Sequence, residues 1–241
     1  MMRNIRSLLL ALAASAGLIL WIGQFTDIDL RLADMAFDRA RGIFPLQHAW
    51  FAEQFNHVIM KGVLTCVASA AVVMAVWDAW RPHLNWAPSR RLGVRVLGLS
   101  ALTVPVVISL LKRASTSHCP WDIDRYGGSA PYVRLLELMP HGVDAGHCLP
   151  GGHASSALWL IALAAFWMPE QPRKAWAVGA LAMAFALCVG FIQQMRGAHF
   201  LTHTLWSAWI ACAIVLANYL LARRQLFGYS SVPRDAILSK Q

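Results

Sequence analysis

His153, His199 and His203, together with Lys112, Arg113 and Arg196, are the residues of this chain whose types and spacing could do chemistry. Cations and imidazoles gather at these positions with few carboxylates nearby, so the ligand they imply is an anion. In Pro-Gly-Gly-His, residues 150 to 153, the N–H groups of Gly151 and Gly152 would sit at a helix N-terminus, where unpaired amides and the helix dipole bind phosphate. His153 would then project at the bound group and could give it a proton near neutral pH. The plainer reading is a loop-to-helix turn that carries a histidine. In Arg-Gly-Ala-His-Phe-Leu-Thr-His, residues 196 to 203, the two histidines are four positions apart and share a helical face. An imidazole is a competent nucleophile toward phosphorus once a second group fixes its tautomer. The same pair could instead bind zinc with His147 or His153 as third ligand, or be two polar residues at an interface. Lys112 and Arg113 would neutralise phosphate oxygens, and Arg196 would offer a bidentate fork. Snorkelling at a helix end is the alternative for the first two.

These residues must be positioned by a very apolar chain. Of 241 residues 58% are hydrophobic, 11 are Trp, and the mean hydropathy is +0.50, which points to a membrane protein rather than a soluble domain. Six stretches approach the roughly 20 apolar residues that cross a bilayer, at about 7 to 25, 58 to 78, 92 to 111, 154 to 169, 175 to 193 and 203 to 222. The expected fold is all-α, a single-domain bundle of six transmembrane helices with its core at 58–222. The first stretch follows Arg3 and Arg6 but has no convincing cleavage site before Gln24, so it reads as a retained helix. Arg3 and Arg6, then Arg81, Arg90, Arg91 and Arg95, then Arg173 and Lys174, then Arg223 and Arg224 all fall on one side of this arrangement. By the positive-inside rule that side is cytoplasmic, with both termini. The net charge of +9 therefore reflects topology and implies no nucleic-acid partner. The partners expected are the bilayer and an anionic ligand at its surface.

Lys112, His153, Arg196, His199 and His203 then share the outward face. Titratable groups at membrane depth are costly and usually functional. A transporter would place polar residues near mid-bilayer, and the expected helix centres are almost bare of them. Residues 26–57 have an amphipathic rhythm broken near Gly42 to Pro45, as expected of short helices lying on the membrane surface. The 113–153 segment is rich in turn formers and reads as an outward loop that folds over the helix ends, with Asp122, Asp124 and Arg125 forming ion pairs or shaping an entrance. The tail from Phe227 reads as flexible. Of five cysteines, Cys66, Cys188 and Cys212 fall inside helices as small buried apolar residues. Cys119 and Cys148 both fall in the outward loop, where they either bridge or remain two free thiols. A bridge closing about 30 residues would contribute roughly 3 to 4 kcal/mol in the chain-entropy picture.

Lys112, six intervening residues, Cys119-Pro120, then Pro-Gly-Gly-His and Gly-Ala-His-Phe-Leu-Thr-His resemble the three ordered motifs of the type 2 phosphatidic acid phosphatase superfamily. Those motifs are Lys-x6-Arg-Pro, Pro-Ser-Gly-His and Ser-Arg-x5-His-x3-Asp, and the likeness covers roughly residues 58 to 222. In this chain Cys119 replaces the first-motif Arg, Gly151 replaces Ser, Gln193 takes the third-motif Arg position, and His203 stands where Asp would orient the nucleophile. The resemblance implies metal-independent phosphoryl transfer with no cofactor. His199 would attack phosphorus to give a phosphohistidine, His153 would protonate the leaving oxygen, and Lys112 with the amides near Gly151 and Gly152 would hold the phosphate. An alignment starting at Arg196 would make His203 the nucleophile instead. The expected substrate is a membrane lipid phosphate or diphosphate, such as a lipid A phosphate, an undecaprenyl diphosphate or a phosphatidate-like lipid, at the periplasmic face of a bacterial inner membrane. A lipid-to-lipid phosphotransferase and a non-catalytic lipid-phosphate binder are the alternatives.

Overall fold

A backbone that crosses hydrocarbon must satisfy its own N–H and C=O groups, so apolar runs of this length become helices. The structure, a computed structural model, describes residues 2–83 and 85–227; the tail read as flexible lies, beyond Phe227, outside the described residues. Seven helices follow in order: α1 (Met2–Phe25), α2 (Ile28–Ala36), α3 (Phe51–Trp80), α4 (Pro88–Ala114), α5 (Gly152–Trp167), α6 (Pro172–Met195) and α7 (Leu201–Phe227). The fold is all-α, and five of these helices, α1, α3, α4, α6 and α7, are long and apolar enough to cross a membrane; Cys66 on α3 and Cys188 on α6, expected to be buried, lie instead on exposed, lipid-compatible faces.

The remaining apolar helix is shorter than the sixth expected span requires as an α-helix. α5 is α-helical through Leu158 and 3₁₀ from Trp159 to Trp167. Because a 3₁₀ turn rises about 2.0 Å per residue against 1.5 Å in an α-helix, the whole element extends about 28 Å. That is close to the ~30 Å of a hydrocarbon core. A second departure concerns the segment from 26 to 57. Only α2 is a separate short helix; the chain turns between Asp38 and Ile43, with Gly42 at φ +68°, and residues 51–57 belong to α3. The first ten residues of α3, Phe51–Met60, are wound as a π-helix that passes into regular α-helix at Lys61.

α4 is the central element, packed on α3, α5 and α7. Its face of Leu92, Val96, Ala101, Val104 and Ile108 is buried with Leu158, Trp159 and Ala162 of α5 and Ala208 and Ala211 of α7. Lipid tails are as apolar as these side chains, so helix association here depends on close packing. Gly98 shows how close: a Cβ at that position would lie 2.3 Å from Ala75 Cβ and 2.7 Å from the Ala71 carbonyl oxygen. Near the far ends of the same two helices, the buried carboxylate of Asp78 accepts from Arg91 Nε at 3.1 Å and Arg95 Nε at 2.8 Å. Two guanidiniums compensate the charge that burial would otherwise leave bare.

At the opposite end, where α4 and α6 finish and α5 and α7 begin, the segment between α4 and α5 is folded rather than loose. Arg125 donates to both oxygens of Asp34 at 2.9 and 2.6 Å, and Tyr126 Oη donates to Asp34 at 3.0 Å. Phe37, Phe44 and Tyr126 pack ring against ring beneath them. Arg134 reaches the carbonyl of Thr26 and the carboxylate of Asp27, each at 2.6 Å. The segment is thereby pinned to the turn that joins α1 to α2.

Gly98→Ala should lower stability by about 1–3 kcal/mol through overpacking, read as thermal unfolding in detergent. Gly17→Ala, where a Cβ meets nothing within 4 Å, should leave the transition unchanged or raise it slightly. Equal transitions for the two variants would contradict the close α3–α4 approach.

Candidate active site

A cavity of about 780 Å³ opens between α3, α4 and α5 and continues to the turn between α6 and α7. One end is polar, lined by His57, Lys61, Lys112, His153, Arg196 and His199. The other runs down between α3 and α4 along Leu64, Ala68, Val72, Val73, Leu102, Pro105 and Val106. From Lys61 to Val73 the α3 wall covers about 18 Å of helix rise. Val73, Leu102 and Val106 are exposed on the helix flanks, so the groove opens sideways to where lipid chains would lie.

His199 is delivered to this cavity by the way α6 ends. Gly197 takes φ +76°, its N–H donates to the Gln194 carbonyl at 2.9 Å, and the Ala198 N–H donates to the Gln193 carbonyl at 3.0 Å. These two bonds close the helix in a Schellman motif, and His199 follows before α7 begins. The Trp121 amide donates to the Gly197 carbonyl at 3.0 Å, which holds the α4–α5 segment against the same turn.

Cys119 and Cys148 are joined by a disulfide, and the sulfur of Cys148 lies 3.3 Å from His199 Nδ1. A disulfide sulfur has no proton to give, so this contact is a hydrogen bond only in the tautomer whose Nδ1 carries the hydrogen. In that tautomer Nε2 keeps its lone pair, the form a nucleophilic imidazole needs. Burial first, then the imidazole of His203 and the ammonium of Lys112, hold the His199 pKa well below the usual imidazole value, which keeps the ring neutral. Among the described residues, Cys119, Cys148 and His199 are the group whose ligand atoms converge closely enough for a metal ion, but both sulfurs are committed to the bridge.

The other residues singled out in the sequence divide into those that reach the cavity and those that do not. Lys112 lies over the start of α5: a Cβ on Gly152 would sit 3.5 Å from Lys112 Cδ and 3.8 Å from Nζ. Arg113 is exposed and is not part of the lining. The Gly151 N–H, expected to meet a ligand, donates to the His203 carbonyl at 3.0 Å. Ser207 Oγ donates to the Gly151 carbonyl at 2.9 Å, so this glycine fastens the turn to α7. Arg196 lines the cavity, yet most of its five donors are engaged: Nε and Nη2 reach the Gln47 carbonyl at 3.0 and 2.8 Å, and Nη1 reaches Gln193 Oε1 at 3.0 Å. Gln193, in the third-motif Arg position, is thus the partner of Arg196.

His203 packs edge-on against His199 with ring centroids 5.8 Å apart, but it faces a separate cavity of about 30 Å³ with Asp29, Tyr132 and Thr202. Asp29 accepts the Thr202 amide at 3.0 Å and the Thr202 hydroxyl, tying α2 to the first turn of α7; burial raises its pKa above the carboxylate norm. Sequence reasoning missed His57 and Lys61. They are four apart on α3 and belong to the polar end of the cavity; that spacing was the available signal.

Gly197→Ala would force a side chain into the left-handed region, costing at least about 1–2 kcal/mol, and would bring Cβ to 2.4 Å from Phe44 Cδ2. Any activity should fall further in this variant than in Gly98→Ala at matched stability, because it displaces His199; matched activities would contradict this positioning.

Neither a curated protein nor a solved structure matches the chain. A family model described as the PAP2 superfamily matches residues 93–226, a span that includes Lys112, Cys148, His153, His199 and His203 and excludes His57 and Lys61. The chain belongs to the PAP2 superfamily, whose members are typically phosphatases.

Proposed function

We propose that this protein is a multi-pass phosphatase of a bacterial inner membrane that removes phosphate from a lipid at the periplasmic face, through a phosphohistidine at His199 and without a metal. The observation that carries the reading is the continuity of the cavity, whose cationic and imidazole-lined end leads directly into an apolar groove between α3 and α4. A headgroup phosphate would lie at the polar end while its chains stay in the groove, an arrangement that suits a lipid better than a soluble ester. A lipid A phosphate, an undecaprenyl diphosphate and a phosphatidate-like lipid all meet these requirements.

In this reading the Lys112 ammonium neutralises the phosphate oxygens and holds phosphorus in line with His199. Nε2 attacks phosphorus, the bond to the lipid oxygen breaks, and that oxygen leaves as an alcohol after taking a proton from the imidazolium of His153, which lines the same cavity. Water then attacks the phosphohistidine, releasing inorganic phosphate and restoring the imidazole. Electrostatic stabilisation of the charge on the transferring group is the main contribution expected from Lys112. Two features support an outward-facing site. The disulfide lies beside it, as an oxidising compartment allows, and Arg81, Arg90, Arg91, Arg95 and Arg173 gather toward the other end.

Phosphate release by the detergent-purified protein from a panel of lipid phosphates, with a chelator present, tests this. Release should persist with the chelator, fall by about a thousandfold or more in His199→Ala, and fall by roughly a hundredfold or more in Lys112→Ala. Release that stops on chelation, or that survives His199→Ala, would overturn the proposal.

A further inference from the structure

The Cys119–Cys148 bridge runs from the cavity wall to the proposed nucleophile. One half, Cys119, stands where the family's first motif carries an arginine, and it lines the cavity together with Lys112 and His199. The other half, Cys148, is fully buried, its sulfur 3.3 Å from His199 Nδ1 and 3.2 Å from the carbonyl oxygen of Ala198. Backbone pairing holds Cys148 there independently of the bridge. The amides of Gly146, His147 and Cys148 donate to the carbonyls of Thr116, Ser115 and Ser117 at 3.0, 3.2 and 2.9 Å. Opening the bridge therefore leaves the Cys148 sulfur beside the ring.

Oxidation state decides what that sulfur does to the imidazole. In the disulfide it carries no hydrogen and only accepts, which favours the tautomer with hydrogen on Nδ1 and a lone pair on Nε2. In the thiol it carries one hydrogen, with Nδ1 and the Ala198 carbonyl both in reach. The imidazole nitrogen is the more basic of these two acceptors. Donation to Nδ1 moves the ring hydrogen to Nε2, and complete transfer of the proton makes a thiolate beside an imidazolium. Either way the Nε2 lone pair is lost.

We infer that the bridge is a redox switch on the nucleophile: oxidised, Cys148 positions His199 for attack, and reduced, it takes the Nε2 lone pair out of use. The inference rests on the phosphatase reading and adds a regulation to the same site, with Cys148 as a positioning residue. A dithiol reduces the bridge by attack of its thiolate on the Cys119 sulfur, the half that reaches the cavity. The S–S bond breaks, and its electron pair leaves on Cys148, which takes a proton. The second thiol of the reagent then displaces Cys119, which also takes a proton. Two electrons and two protons pass to the protein, and the dithiol becomes a cyclic disulfide. A chain whose outward segment has not met an oxidising compartment is thus inactive until the bridge closes.

The test follows the detergent-purified protein, with isotope-labelled imidazole nitrogens, as bridged protein, after dithiothreitol and after reoxidation. NMR of the bridged protein should show the His199 hydrogen on Nδ1, the His199 signals being those that vanish in His199→Ala. The reduced protein should show a hydrogen on Nε2. Phosphoenzyme formation from a lipid monophosphate should fall by about tenfold or more on reduction, within what a wrong imidazole tautomer costs, and return on reoxidation. The paired variant Cys119→Ala/Cys148→Ala has neither bridge nor thiol, and should react faster than the reduced protein. Hydrogen on Nε2 in the bridged protein, an unchanged rate on reduction, a loss that coincides with unfolding, or equal rates for the reduced protein and the paired variant would overturn the switch. Failure of the bridged protein to form a phosphoenzyme would instead sink the phosphatase reading, while the tautomer change is read without substrate.

Discussion

An imidazole attacks phosphorus only through a nitrogen that keeps its lone pair, and the proposed role of His199 depends on the contact between its Nδ1 and the sulfur of Cys148. The family pattern gives the task to an aspartate one helical turn away. Here that position is His203, and Nδ1 of His199 meets the sulfur of Cys148 instead. A sulfur acceptor favours the same tautomer as a carboxylate, more weakly, and it brings no negative charge to stabilise an imidazolium. That suits a ring kept neutral by burial, and in the proposed mechanism it gives the disulfide a part in orienting the nucleophile.

The surrounding fold serves this contact from several directions. The bridge fixes Cys148 relative to Cys119, and the Trp121 amide ties the segment after Cys119 to the carbonyl of Gly197. The left-handed conformation of Gly197 ends α6 at the point where His199 can turn inward. Gly151 and Ser207 lock the start of α5 to α7. α4, packed in the centre, brings Lys112 over the same turn. The apolar groove follows from the same packing, since α3 and α4 touch closely at Gly98 and part toward Lys112, with Pro105 in the groove wall.

Much of the architecture was legible because the bilayer imposes a length and a polarity that hydropathy reads directly. The expected spans match the observed helices within a few residues at most ends, and the motif residues Lys112, His153 and His199 line one cavity. The misses have physical causes. The expected second span began at residue 58, since the polar Glu53, Asn56 and His57 interrupt the apolar run. The helix begins at Phe51, so His57 was assigned to a surface segment. π winding has no sequence signature of its own, and the stacking of His57 on His153 is a tertiary consequence of it. The Gly151 amide was expected to meet a ligand, but α7 presents the His203 carbonyl to it, a pairing between distant segments that local spacing does not encode. Arg196 carries a charge suited to a phosphate, yet Gln47, Gln193 and Glu53 occupy its donors.

The most direct measurement of the central claim is to quench the protein during turnover of a lipid phosphate and locate the phosphoryl group by mass spectrometry and phosphorus NMR. The account predicts phosphate on Nε2 of His199, because Nδ1 is held against the disulfide. Phosphate on His203, on Nδ1 of His199, or on no histidine while turnover proceeds would contradict it.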